Sequence, residues 1–167
     1  KGNYSEVDKC DATDIYAITK RRVTKGTIIR TSFIGNDLNE DGVGLMKWVK
    51  NNQNNTIDGY VNCLWNGITA LELAKQMFKI IIQEKFWYGV RHIFSPKIIN
   101  KYELCNLINY TYNLNIKVNK LKAQNIEGTL IKKYLDRSLC SIHESPVKRS
   151  FTTQLIEMKK YDDEYSK

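Results

Sequence analysis

Tyr16 and Lys20 stand four residues apart in the run Asp14-Ile-Tyr16-Ala-Ile-Thr-Lys20. On a helix that spacing puts both side chains on one face, about one turn apart. A phenol with a pKa of about 10 is a poor acid–base group at neutral pH. An ammonium held beside it favours the phenolate and brings the proton within reach of transfer. Such a pair can give a proton to a carbonyl oxygen as hydride reaches the carbon, or run the reverse. No side chain carries a hydride, so a nicotinamide would have to supply it, and a lysine so placed can also hydrogen-bond the cofactor ribose. The spacing alone is not distinctive. With ten tyrosines in a lysine-rich chain, about one such pair arises by chance, and the plain reading is a surface pair on a helix.

The elements that must position this pair can be read from capping residues and periodicity. Asp14 is a good N-cap, so a helix should begin at Ile15 and carry Tyr16 and Lys20. Thr27–Thr31 reads as a buried strand ending near Gly35, Gly44–Lys50 as a helix, and Ile57–Leu64 as a strand with Gly59 inside it. Thr69-Ala-Leu-Glu72 reads as a capping box ahead of the apolar run Leu71, Leu73, Ala74, Met77, Phe78 and Ile81. Gly89–Phe94 is a further strand. Asn100-Lys-Tyr-Glu103 repeats the capping signal before Leu104, Leu107 and Ile108. Asn115–Val118 is another strand, and a short helix is expected at Phe151–Met158. The run Asn51–Asn55 reads as a loop tip. Strands alternating with helices predict an α/β protein.

Composition limits the function classes. The 167 residues are enough for one domain with a real core, or for part of a larger unit. No apolar run approaches the ~20 residues of a membrane-spanning helix, and no signal-peptide pattern follows Lys1. The net charge of +8 admits a nucleic-acid partner, but the basic residues are scattered apart from Lys20-Arg21-Arg22 with Lys25, and Lys132-Lys133. Scattered lysine reads as a solvated surface, which disfavours nucleic acid. Cys10, Cys63, Cys105 and Cys140 form no C-x-x-C pair, and His92 and His143 lack ligand spacing, so no metal site is expected. Isolated cysteines without a signal peptide fit a reducing, cytoplasmic setting.

Several segments, taken in order, resemble one family. Asn3-Tyr-Ser-Glu6 with Asp8, followed by Thr13-Asp-Ile-Tyr16-Ala-Ile-Thr-Lys20, is similar to the approach to the active-site helix of extended short-chain dehydrogenases/reductases. Those proteins read tyrosine-x-glutamate and then tyrosine-glycine-x-x-lysine; Ala17 stands here where glycine is usual. Ile28 to Gly35 looks like the strand after that helix. Gly59 to Ala74, the Gly89-Val-Arg-His92 strand with the helix after it, and Asp136-Arg137-Ser138-Leu139 resemble the substrate-side segments of the dTDP-4-dehydrorhamnose reductase branch. The stretch between Lys20 and Arg30 is shorter than is usual there, which predicts a trimmed helix.

The resemblance implies the C-terminal part of a Rossmann-type NAD(P)-binding fold with a small mixed α/β substrate-binding domain. Residues 1–40 would end the cofactor domain. Residues 41–167 would be mostly substrate domain, with 57–94 returning to the Rossmann sheet. It implies NAD(P)H-dependent reduction of a 4-keto-6-deoxy sugar nucleotide. Epimerase or dehydratase chemistry, or a non-catalytic binding subunit on the same fold, are the alternatives. A homodimer is compatible with it. Tyr16 and Lys20 would be catalytic and touch the cofactor, with Thr31 and Ser32 also at the cofactor. Arg30, Asn62, Trp65 and Arg137 would meet the substrate. The G-x-G-x-x-G loop that cradles pyrophosphate is not in these residues, nor is the hydroxyl that completes the triad. The implied parent therefore has a cofactor-binding half before Lys1.

The same residues have plainer readings. Arg30 could pair with a core-edge carboxylate instead of a phosphate. Asn62, Trp65 and Asn66 could form a stacking and hydrogen-bonding platform or simply a strand with a core tryptophan. Thr69 reads as a cap, His92 as a satisfied strand histidine, and Trp48 and Trp87 as core or core edge.

Overall fold

A computed structural model describes residues 1–11, 13–36, 42, 44–123 and 135–165. The elements run in chain order α1 (Ile15–Arg21), β1 (Thr27–Arg30), β2 (Phe33–Ile34), α2 (Leu45–Asn51), β3 (Thr56–Tyr60), β4 (Cys63–Trp65), β5 (Ile68–Thr69), α3 (Ala70–Ile82), β6 (Gly89–His92), β7 (Ile99–Asn100), α4 (Lys101–Tyr112), β8 (Lys117–Leu121), β9 (Leu135–Asp136) and α5 (Phe151–Tyr165). The protein is a mixed α/β fold in which most strand pairs are parallel, as the alternation of strands and helices requires.

Two pairings build the end of the molecule that carries α1. β1 lies parallel to β6, with Thr27 opposite Gly89 and Arg30 opposite His92. The chain then changes partner: β2 pairs in parallel with β5, Phe33 opposite Ile68. The bend between the two falls at Thr31-Ser32, where the Ser32 carbonyl accepts the Ile68 N–H at 3.0 Å. A separate parallel ladder joins β3 to β8, and β4 is flanked by antiparallel β7 and parallel β9. The single expected strand over Ile57–Leu64 is thus two strands. They part at Val61-Asn62 because β3 and β4 answer to different partners.

The main core gathers Met46 and Val49 of α2, Ile57, Trp65, Ile99, the α4 residues Leu104, Cys105 and Ile108, and Phe151, Leu155 and Met158 of α5. Helix α4 is the best specified. Asn100 and Glu103 bond each other's backbone N–H at 2.9 Å, a complete capping box. Helix α5 outruns the expected Met158 by two turns. Lys159 pairs with Asp163, and the Tyr112 hydroxyl donates to Asp162 at 2.7 Å, so its polar last turns are tied down rather than frayed.

Helix α3 departs from expectation in two ways. Thr69 accepts the Glu72 N–H at 3.2 Å, but Glu72 does not return the bond; the Thr69 N–H donates instead to Gln154 Oε1. Glu72 is itself buried, paired with Arg149 and accepting from Gln76. The apolar stripe Met77, Phe78 and Ile81 faces outward, with Phe78 66% exposed. Ile82, Phe86 and Tyr88 extend this face. Among the described residues no helix is long and apolar enough to cross a membrane.

Candidate active site

The N-cap of α1 is as expected. Asp14 Oδ1 accepts the Ala17 N–H at 2.9 Å and starts the helix one residue before Tyr16. The helix is short, seven residues, and buries none of them. Tyr16 is 73% exposed, and its hydroxyl is free of hydrogen bonds among the described residues. The Lys20 ammonium lies over the Tyr16 ring, 5.4 Å from its centroid. The two groups therefore share a face, with the cation against the ring.

Tyr16 and Lys20 border a cavity of about 360 Å³ whose other walls include Tyr4, Cys10, Arg30, Thr31, Ser32 and Arg137. This opening sits at the C-terminal end of β1, where the chain leaves β6 for β5. The Thr31 hydroxyl donates to the Ser32 carbonyl at 3.3 Å. Four expected groups, Tyr16, Lys20, Thr31 and Ser32, thus border one cavity, where hydroxyls and an ammonium at a parallel strand end could meet the nicotinamide-ribose end of a cofactor. Arg30 is also on this wall. Its Nη1 donates to Cys10 Sγ at 3.6 Å, so its partner is neither of the acceptors anticipated for it, a carboxylate or a phosphate.

His92, another residue lining this cavity, is held by Glu6. The Glu6 carboxylate accepts the His92 N–H at 2.8 Å, the Ser141 hydroxyl at 2.5 Å and the Ile142 N–H at 3.0 Å. Partial burial pushes this carboxyl up, but the bonds from Ser141, His92 and Ile142 outweigh it and bring the pKa from 4.5 down to about 2. His92 is a satisfied strand histidine: its Nδ1 faces the carbonyls of Tyr4 and Cys140 at 3.1 and 2.8 Å, which requires the proton on Nδ1. The Tyr4 hydroxyl donates to Asp11. That bond, followed by burial and the nearby charges of Asp11, Asp8 and Asp136, raises the phenol to about 12. The Tyr4 hydroxyl is therefore engaged with Asp11, whereas that of Tyr16 makes no hydrogen bond among the described residues.

A second, larger cavity of about 810 Å³ adjoins the first; Ser32 and Arg137 are walls of both. It is lined by apolar side chains from several elements, Phe33, Leu45, Leu64, Trp65 and Leu104 among them, with Lys101, Lys122 and Arg137. Trp65 is 8% exposed, its Nε1 donates to Ser32 Oγ at 2.7 Å, and its ring meets Phe151 edge-on at 5.0 Å. It is a core tryptophan whose edge forms cavity wall, and its pinned ring supports Ser32. Gly67 permits this packing, since a Cβ there would fall 2.1 Å from the Ser32 carbonyl and 2.2 Å from the Trp65 ring.

Asn62 lies apart from both cavities. Its amide exchanges two hydrogen bonds with the Ala123 backbone, at 2.8 and 2.9 Å, and so ties the β3–β4 turn to the chain after β8. The platform expected of it is not assembled, because both amide groups face backbone. Asn66 likewise bridges the Leu139 N–H and carbonyl, each at 2.8 Å. Two cavity residues had no sequence signal as site groups: Lys101 reads as the first helical residue after a cap, and Lys122 as one more surface lysine.

Comparisons with known proteins agree with this architecture. No family model and no curated protein matches the chain. Among solved structures it is similar to a dTDP-4-dehydrorhamnose reductase from Clostridium acetobutylicum, with 16% identity and a TM-score of 0.68, covering 98% of this chain and 61% of that one. It is also similar to the dTDP-4-dehydrorhamnose reductase of Bacillus anthracis in complex with NADP (16%, TM-score 0.70, 95% and 59%). A dTDP-glucose 4,6-dehydratase of Bacillus anthracis in complex with NAD is more distant (9%, TM-score 0.60, 99% and 57%). The chain spans 57 to 61% of the length of these proteins. At such identities the likeness is one of fold, over the part of those structures that this chain spans.

Proposed function

We propose that these residues form the proton-transfer and substrate-binding part of an NAD(P)H-dependent reductase acting on a 4-keto-6-deoxy sugar nucleotide. The observation that supports this above all is the junction of the two cavities at Ser32 and Arg137. A ligand lying across that junction would set a sugar carbon beside Tyr16 and its nucleotide portion among the apolar walls of the larger cavity. In the first cavity Tyr16 would donate its hydroxyl proton to the sugar carbonyl oxygen. Lys20, over the same ring, would favour the phenolate left behind and bind the cofactor ribose. Thr31 and Ser32 would present backbone and hydroxyl groups to the nicotinamide carboxamide. The nicotinamide, when bound, supplies the hydride.

The cofactor's pyrophosphate would be held by further chain, a half of the Rossmann fold that these residues do not contain. Two features favour such a neighbour. β1 pairs only with β6 among the described residues, which leaves a parallel edge free. The apolar faces of α1 and α3 stand in solvent, with Ile15 81% and Phe78 66% exposed. Residues 1–40 would then close the cofactor domain, and most of 41–167 would hold the substrate.

The test is Tyr16→Phe in the complete gene product, assayed by oxidation of NADH or NADPH with a 4-keto-6-deoxy sugar nucleotide. Turnover should fall at least about 100-fold, the usual worth of a general acid, with the thermal midpoint unchanged. Undiminished turnover rules the reading out. Consumption of the substrate with no net cofactor oxidation in the wild type would point to epimerase or dehydratase chemistry instead.

A further inference from the structure

A third cavity, of about 220 Å³, lies between α3, β6 and the loop before α5. Gln76, Lys79, Ile80 and Gln83 of α3 line it and by their spacing share one flank of that helix. The exposed stripe of Met77, Phe78 and Ile81 is on the opposite flank. The cavity therefore faces the rest of the described fold, away from the surface that a missing half would cover. His92 lines this cavity and the Tyr16 cavity alike.

Three cations border the space, Lys79, Lys85 and Arg91, and none makes an ion pair among the described residues. The one carboxylate on its rim, Glu144, is 84% exposed and already paired with Lys148. An excess of one sign of charge around a concave space favours a counter-ion there. The cations are also pre-placed. The Arg91 guanidinium lies over the Trp87 ring, 4.8 Å from its centroid. Trp87 is fixed in turn: its backbone N–H donates to the Thr27 hydroxyl at 3.1 Å, its carbonyl accepts from that hydroxyl at 2.6 Å, and its indole N–H donates to the Gly89 carbonyl at 3.0 Å. Stacking takes one face of the guanidinium and leaves its N–H edge for an anion.

Lys85 is turned back along α3 by the way the helix ends. Glu84 has a left-handed φ of 52°, and the Lys85 and Glu84 N–H groups donate to the carbonyls of Ile80 and Ile81 at 3.0 and 3.1 Å, the paired bonds of a Schellman turn. The Gln83 N–H takes the Lys79 carbonyl at 3.1 Å. Carbonyls that would repel an anion at a helix C-terminus are thus occupied. The loop wall is held by Ser145, whose hydroxyl donates to the Phe94 carbonyl at 3.2 Å and accepts the Val147 N–H at 3.3 Å. Ile80, Ile93 and Pro146 give the cavity an apolar side.

We infer that Lys79, Lys85 and Arg91 form a binding site for a phosphate monoester. The phosphate lies among the three cations, and a small apolar body lies against Ile80, Ile93 and Pro146. Arg91 supplies a paired-donor fork, and the lysines act as point charges. The volume is below the ~300 Å³ at which pockets for drug-sized ligands begin, so the body is small. This site is separate from the two cavities read as cofactor and substrate space, and it does not depend on that reading. A ligand there ties α3 to the loop that Glu6 also holds, and it stabilises the fold by mass action.

The test is calorimetric titration of the complete gene product with phenyl phosphate, inorganic phosphate and phenol, at two salt concentrations. The proteins are the wild type, Arg91→Gln, Lys79→Gln, Lys79→Arg and, as a control for net charge, Lys117→Gln on β8. Phenyl phosphate should bind at least about threefold more tightly than inorganic phosphate and about tenfold more tightly than phenol, with affinity falling as salt rises and the thermal midpoint rising with ligand. Arg91→Gln and Lys79→Gln should each weaken it about threefold to tenfold, Lys79→Arg should restore most of the loss, and Lys117→Gln should leave it unchanged. All four positions are exposed, so the variants should fold as the wild type does. Absence of phenyl phosphate binding, or normal binding by both Arg91→Gln and Lys79→Gln, would overturn the site. Inorganic phosphate binding as tightly as phenyl phosphate would overturn its assignment to a monoester. None of these readouts needs turnover, so the result is independent of Tyr16→Phe.

Discussion

Replacing Glu6 by glutamine should loosen the packing behind His92, by an amount that depends on pH. The Glu6 carboxylate takes three donors from two separate stretches, the His92 N–H on β6 and the Ser141 hydroxyl and Ile142 N–H beyond β9. A glutamine keeps one oxygen for His92 and Ser141, but its amide nitrogen would meet the Ile142 N–H donor to donor. The depression of the carboxyl from 4.5 to about 2 corresponds to about 3 kcal/mol at ~1.4 kcal/mol per tenfold change. The group is partly open to water, and after screening about 1–2 kcal/mol is expected. Because the folded pKa is the lower one, this stability is fully present above about pH 4.5 and drains away as pH falls toward 2. Urea denaturation of wild type and Glu6→Gln between pH 7 and pH 2.5 reads it directly. The variant should be less stable at pH 7, and the two curves should converge at acid pH. A variant as stable as wild type at pH 7, or a gap that stays constant down to pH 2.5, would refute the claim that these three bonds hold that packing.

Gly67→Ala should destabilise the protein by about 1–3 kcal/mol, since the new methyl meets the Ser32 carbonyl and the Trp65 ring rather than open space; chemical denaturation measures the loss, and thymidine diphosphate binding should weaken with it as the cavity junction shifts. Gln154→Leu should cost about 2–4 kcal/mol, because the fully buried amide satisfies the Thr69 N–H, Ser95 Oγ and the Arg149 carbonyl together; an unchanged urea midpoint would show that α5 is held by its apolar contacts alone.

Local signals were legible where a short-range bond decides the structure. Asp14 and Asn100 start their helices at the residue their side chains dictate, and the Tyr16–Lys20 spacing survives because any helix from Ile15 onward puts them together. Signals that depend on distant partners were not. Nothing within Ile57–Leu64 says that its two halves pair with β8 on one side and with β7 and β9 on the other. Glu72 has the spacing of a capping residue, yet it is drawn away by Arg149, seventy-seven positions later. Asn62 looks like a ligand-binding amide until the chain near Ala123 is laid beside it. Lys101 and Lys122 are indistinguishable from other lysines in sequence, and only the packing of α2, β3 and β8 turns them toward one cavity.

The parallel ladders set a timetable for assembly. Thr27 must wait for Gly89, and Thr56 for Lys117, partners about sixty positions apart in each case. At a synthesis rate of about 5–20 residues per second, the strand that carries Arg30 leaves the ribosome roughly 3–12 s before its mate exists. Helix α3, which lies between the two strands, can form within that interval from its own N-cap, whereas the cavity walls cannot. Loop closure over such distances also makes folding slow in the finished chain. The site around Tyr16 is therefore among the last parts of the molecule to be completed, and a chaperone that shields the Thr27–Ile34 segment during that gap should raise the yield of folded protein more than one acting on the early helices.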